Sequence, residues 1–245
     1  MKIVYIGCSH STNSYGKSWA DFMVNDIKPE KSEDISVSGA SNEMFIEKIK
    51  KYNELYNDTD LFIFQLTDPS RMLFGLYGND PYEEMRKNTA MKFTYDPDLI
   101  SNHRTTNGIS YYNKLLKTDD NDLNNLLNSD YKVMDVITNH FQISEYNLKI
   151  KIFHTLLTLK SIFDFYNKKV IFFSWFVDII KLSKEMGYYD IIKNYNILEG
   201  CVLDFVKSNN LKSISTDNLH YGTEEHKIIY EMYLKNFIYK HLNLI

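Results

Sequence analysis

The sequence predicts a three-layer α/β/α sandwich built on a mostly parallel sheet of about five strands. Three observations predict it. Residues 60–67 (Asp-Leu-Phe-Ile-Phe-Gln-Leu-Thr) and 169–175 are short, nearly continuous apolar runs, the pattern of strands buried on both faces. Segments with helical apolar spacing stand between such runs. The alternation of strand and helix persists from residue 2 to the end of the chain, apart from one interruption.

Residues 2–7 are the first expected strand, closed by Gly7. Residues 17–27 carry Trp19, Phe22, Met23 and Ile27 at helical spacing. Residues 34–38 are a short second strand before Gly39, and Ser41 is placed to cap a helix running to about residue 56, with Phe45, Ile49, Tyr52 and Tyr56 on one face. The third strand is 60–67. Residues 68–140 then break the rhythm with Pro69, Gly75, Gly78, Pro81, Pro97, Gly108 and the polar run 118–125. They are expected to form an insertion over the sheet edge, either a binding wall or a decorating subdomain. Helix 144–166, strand 169–175, helices 177–186 and 197–207, strand 211–216 and a long amphipathic helix 223–242 follow, the last with Ile228, Ile229, Met232, Tyr233 and Phe237 suited to burial. The whole is expected to be one domain, 1–245, on a flavodoxin-like sheet.

Composition excludes several classes of function. The chain has 245 residues, 44% of them hydrophobic and 15% aromatic, enough for a large core and against disorder. Its net charge of −4, from 28 basic and 32 acidic residues, argues against nucleic-acid binding as the main activity. Lys48, Lys50 and Lys51 form the densest basic patch, with the spacing of a solvated helix face. Two cysteines, Cys8 and Cys201, make no disulfide framework. Met1-Lys2 leads into only a few apolar residues, so no signal peptide is expected and the expected location is cytoplasmic. The longest near-continuous apolar run, 170–176, is too short to span a bilayer.

The candidate chemistry lies at two ends of the chain. Gly7-Cys8-Ser9 places a serine in the turn after the first strand. Asp217-Asn218-Leu219-His220 places an acid three residues before a histidine, between the last expected strand and the last helix. Both turns fall at carboxyl ends of expected parallel strands, the edge where ligands bind in open α/β sheets. A hydroxyl nucleophile, an imidazole base and an orienting carboxylate are the parts of a serine hydrolase.

With Gly7-Cys8-Ser9, the Gly39 turn and Asp217-Asn218-Leu219-His220 in place, the chain resembles the SGNH (GDSL-type) hydrolase superfamily. The resemblance spans most of the fold but rests on few positions. Cys8 stands where the family usually has Asp, and the family's Gly-x-Asn-Asp after strand three is replaced by Gln65-Leu66-Thr67-Asp68. The resemblance implies an esterase or O-acyl hydrolase working through an acyl-enzyme, with Ser9 as nucleophile, His220 as base and Asp217 as its orienting acid. It implies an oxyanion hole from the N–H groups of Ser9 and Gly39, with Asn42 or Gln65 in place of the missing Asn, each a carboxamide donor of the right kind. It implies no cofactor. The expected partner is a small-molecule, glycan or lipid ester.

Other readings of the same residues stay open. Cys8 is a rival nucleophile. His10 is placed to line the substrate pocket or to sit in a surface turn, and Arg71 to pair with an anionic substrate group or to form a structural salt bridge. A metal site from Cys8, His10, Asp217 and His220 lacks any usual ligand spacing. A non-catalytic binding module and an acyltransferase share the fold and, in the second case, the triad. No Gly-x-Ser-x-Gly elbow and no Gly-rich phosphate loop is present.

Overall fold

The computed structural model describes residues 1–12, 15–36, 58–68, 145–215 and 220–244, with the helical residues 42, 45, 46 and 49. Its centre is a four-stranded parallel sheet in the order β2-β1-β3-β4. The strands are β1 (Lys2–Ile6), β2 (Lys31–Asp34), β3 (Leu61–Leu66) and β4 (Val170–Ser174).

Side-chain alternation along the strands separates two cores and so creates three layers. On one face Val4, Ile6, Phe62, Phe64, Leu66, Val170 and Phe172 pack with Phe45, Ile49, helix α2 (Glu145–Phe165), helix α3 (Ile179–Met186) and Ile192 of α4 (Tyr189–Ile192). On the other, Ile3, Leu61, Ile63, Ile171 and Phe173 pack with helix α1 (Trp19–Ile27), helix α5 (Val202–Ser208) and the C-terminal helix. Every residue of β3 and β4 is buried, which is why both read as unbroken apolar runs.

Local signals start and stop the helices. Ahead of α1, the Asp21 carboxylate accepts the Ser18 backbone N–H at 2.7 Å, satisfying a donor that the helix cannot. The helix ends at Lys28 in the left-handed region (φ 50°), just before Pro29. Asp178 caps α3 by accepting from the Lys181 N–H at 3.0 Å.

Expectations for three elements are corrected. The second strand lies at 31–34, earlier than 34–38. It is a polar edge strand (Lys-Ser-Glu-Asp), joined by backbone pairing with β1, so apolar pattern cannot reveal it. No fifth strand at 211–216 exists among the described residues. Ser213 makes an isolated antiparallel bridge to Tyr221, because serine hydroxyls there bond to nearby backbone and turn the chain back. The helix expected from 197 begins at Val202, since Ile197 instead pairs with Phe172 along the outer edge of β4.

The long terminal helix is not uniform: α6 (Thr223–Ile228) passes into a π-helical segment (Ile229–Leu234) and then α7 (Lys235–Leu242). The wider turn shifts the buried face, so Met232 is 66% exposed while Leu234 and Ile238 are buried. Among the described residues no helix is long and apolar enough to cross a membrane.

Candidate active site

β1 neighbours β2 on one side and β3 on the other, so its carboxyl end lies where the strand order reverses, the position of the ligand crevice in this architecture. Gly7, Cys8 and Ser9 form the turn there, closed by the Ser11 N–H donating to the Cys8 carbonyl at 2.9 Å. A side chain at Gly7 would not fit. Its Cβ would lie 2.1 Å from Ser11 Oγ and 2.7 Å from Gln65 Oε1.

A buried polar chain underlies the turn. Trp19 Nε1 donates to Ser11 Oγ (3.0 Å), Ser11 Oγ donates to Gln65 Oε1 (2.5 Å), and Gln65 Nε2 donates to Cys8 Sγ (3.0 Å). The chain accounts for a glutamine in an otherwise apolar central strand, since each member satisfies another. It also places the Cys8 thiol inside the core, against the Gln65 amide.

His220 arrives from the opposite end of the sequence. Its backbone N–H donates to Ser215 Oγ (3.0 Å), and its carbonyl accepts from Ser213 Oγ (2.6 Å) and from the Ile214 N–H (2.9 Å). The serine-rich segment expected to be a strand is thus the hook that holds the histidine. Ser9 Oγ and His220 Nε2 stand 3.1 Å apart, within hydrogen-bond reach, and Ser9 is 5% exposed.

Two rings pack against that of His220. The His10 ring lies 4.9 Å away at 26°, and the Tyr15 ring 4.4 Å away at 35°. His10 itself stacks on Trp175 at 4.0 Å and 6°, with Phe176 at its edge. His10 is 1% exposed, so its ring is a buried layer beneath the site rather than part of an open surface.

Asn42 lies at the same sheet edge. Its Oδ1 accepts the Thr67 N–H at 2.8 Å and its Nδ2 donates to the Thr67 carbonyl at 3.1 Å, clamping the end of β3. Asp217, Gly39 and Arg71 fall outside the described residues, as does most of the 68–140 insertion. Among the described residues no group of three or more His, Cys, Asp or Glu is arranged to hold a metal ion.

Sequence reasoning missed three residues near the site. Trp175 directly follows β4 and lies on the same strand-end edge, a signal that was available. Tyr15 carried none, because its place depends on the bend at Gly16. There φ is +106°, a Cβ would meet Thr223 Oγ1 at 2.5 Å, and the next N–H, from Lys17, donates to Thr223 Oγ1 at 3.1 Å. His226 lies buried in α6, with its ring 5.6 Å from that of Trp175. Burial pushes its pKa down to about 4; the nearby Asp21 opposes that fall and His220 adds to it.

No family model matches the chain, and no curated protein matches it. Several solved structures align with the chain at low identity. A lipase/acylhydrolase from Enterococcus faecalis aligns with 98% of this chain and 94% of its own, at 11% identity and a TM-score of 0.45. Phospholipase A1 from Streptomyces albidoflavus NA297 aligns with 99% of this chain and 98% of its own, at 12% identity and a TM-score of 0.40. An acetyl xylan esterase from Geobacillus stearothermophilus aligns with 96% of this chain and 94% of its own, at 10% identity and a TM-score of 0.32.

Proposed function

We propose that this protein is a serine hydrolase of the SGNH type that cleaves an ester through an acyl-enzyme. The observation that carries the reading is the 3.1 Å contact between Ser9 Oγ and His220 Nε2 at the strand-order reversal. In the first half-reaction the Ser9 proton passes to Nε2, and Oγ forms a bond to the ester carbonyl carbon. The tetrahedral intermediate then collapses, the C–O bond to the leaving alcohol breaks, and His220 returns the proton to that alcohol. In the second, His220 takes a proton from water as it attacks the acyl-Ser9 carbonyl; the C–O bond to Ser9 Oγ then breaks, His220 returns the proton to Oγ, and the acid leaves. For Nε2 to accept, the resting proton must sit on Nδ1, and Asp217 is the group we assign to hold it there.

We assign the oxyanion to the backbone N–H groups of Ser9 and Gly39. Asn42 is the better third donor of the two carboxamides. Each carboxamide has its oxygen and one N–H engaged, but Asn42 does so beside Thr67 at the end of β3, whereas Gln65 does so within the strand, in the buried chain to Ser11 and Cys8. The chain is taken as one domain whose 68–140 insertion, with Arg71, walls the substrate. The substrate is a small-molecule, glycan or lipid ester, and an acyltransferase would use the same groups with an alcohol in place of water.

The test is hydrolysis of short-chain aryl esters. Ser9→Ala should abolish turnover without loss of fold, and Cys8→Ala should keep most of it. An active Ser9→Ala beside an inactive, folded Cys8→Ala would reverse the assignment.

A further inference from the structure

We propose that His10 and Tyr15 are positioning residues for the His220 base. In this assignment the rings of Trp175, His10, His220 and Tyr15 form one column that holds the imidazole edge toward Ser9. The proposal rests on the serine-hydrolase reading above.

Backbone hydrogen bonds from Ser213 and Ser215 fix the His220 main chain but not its ring. The second side-chain torsion of a histidine is broad and nearly two-fold, so packing against the ring adds to what contacts at its nitrogens specify. Two rings supply that packing: His10 at 4.9 Å and 26°, and Tyr15 at 4.4 Å and 35°.

The column has a rigid base. Trp175 is fully buried, and its backbone N–H donates to the Leu66 carbonyl at 3.0 Å, which locks it to the end of β3. His10 lies on it nearly parallel, at 6°. The top of the column is built separately. Tyr15 is 43% exposed and is held in place by the Gly16 bend and the Lys17 N–H bond to Thr223. That construction separates the two roles. His10 is core and Tyr15 is not, so Tyr15 can be changed without cutting into the packed interior.

The chemistry benefits at the step that charges the base. When Nε2 takes the Ser9 proton, the imidazolium forms against the Tyr15 face, within the range where an aromatic ring attracts a cation. Misplacing a reacting group by about 1 Å costs on the order of 100-fold in rate.

The experiment measures the second-order rate of Ser9 modification by two fluorophosphonates, one with small alkyl groups and one with a long chain. In that reaction the Ser9 Oγ–P bond forms, the P–F bond breaks, fluoride leaves, and the serine proton passes to His220. Tyr15→Leu should slow both reagents about 3- to 10-fold and leave the melting temperature unchanged, and Tyr15→Phe should restore the rate. His10→Ala should slow both about 10- to 100-fold, with His10→Phe retaining most of the rate. Wild-type rates in Tyr15→Leu would overturn the proposal, and so would a loss confined to the long reagent, which would make Tyr15 a substrate wall. If His10→Ala does not fold, the Tyr15 pair decides. Wild-type protein that takes no label would overturn the hydrolase reading instead. In that case the ring NMR signals of His220 test the column directly: a single sharp set should split or broaden in Tyr15→Leu, and an unchanged set would overturn it.

Discussion

Ser11 Oγ donates to Gln65 Oε1 at 2.5 Å, tying the turn after β1 to the middle layer of the fold. Through this contact a residue of the central strand sets where Ser9 sits, a structural role separate from any as a carboxamide donor.

Replacing Gln65 with Leu should therefore harm activity and stability together. The substitution leaves the Ser11 hydroxyl and the Cys8 thiol without their buried partner, at a cost of about 1–3 kcal/mol. Denaturant unfolding of Gln65→Leu, Ser11→Ala and the double variant checks this. The two losses should be strongly non-additive, because both variants break one network. Simple additivity would show that the chain of hydrogen bonds is not a unit.

The π-helical segment should depend on Asp26. Its Oδ2 accepts from Tyr230 OH (2.8 Å), Tyr239 OH (2.8 Å) and Lys235 Nζ (2.7 Å), three groups drawn from the π segment and the helix after it. The Lys235 contact, with the two phenol donors, holds the Asp26 carboxyl below its ordinary range despite some opposing burial. Its stabilisation is thus present above the ordinary carboxylate pKa and is lost as pH falls through the lowered one. Asp26 is partly exposed, so Asp26→Ala should cost about 2 kcal/mol rather than the sum of three charged hydrogen bonds. For a chain of this size that is a fall in Tm of about 4–8 °C, readable in a thermal melt.

His226 should make the protein acid-sensitive. Its pKa is pushed down to about 4 in the folded chain, against an ordinary value of 6.5. Above pH 6.5 the imidazole is neutral in both states and has no pH-dependent effect. Between 6.5 and 4 the unfolded chain binds a proton that the folded chain does not, so stability falls as pH falls. The loss by pH 4 is about 3 kcal/mol. His226→Phe should lack this part of the decline, so the difference in unfolding free energy between the two proteins should grow from pH 7 to pH 4. A difference that stays flat would place the imidazole in water or against a compensating charge.

Gly16→Ala should loosen the top of the ring column. The residue has φ +106°, a region costly for any Cβ, and that Cβ would meet Thr223 Oγ1 at 2.5 Å. The expected outcome is a rate of ester hydrolysis lowered about 3- to 10-fold, in line with Tyr15→Leu. Rates equal to wild type would show that the bend does not set Tyr15.

Much of the architecture is legible in the sequence because burial on both faces leaves a plain mark. β1, β3 and β4 are apolar runs, and α1, α2 and α3 carry helical spacing. The edge strand β2 leaves no such mark, since backbone pairing holds Lys31–Asp34 in the sheet. Residues 211–216 mislead for the opposite reason: Leu211 and Ile214 suggest a strand, while the Ser213 and Ser215 hydroxyls capture local backbone and make a hook. The approach of Ser9 to His220 is legible because each follows a strand-like run. Gln65 reads correctly as a polar residue in a buried strand, but its bonds to Ser11 and Cys8 depend on tertiary contact. Tyr15 and His226 are invisible in sequence, because a bend and a helix phase place them.

The central claim is that Ser9 is a nucleophile activated by His220. The most direct measurement is intact-mass analysis after reaction with a fluorophosphonate, followed by peptide mapping. One adduct should form, on Ser9, in the wild type and in Cys8→Ala, and none in Ser9→Ala, with labelling strongly slowed in a folded His220→Ala. Folded wild-type protein that takes no adduct on Ser9, or that labels equally fast without His220, would contradict the account.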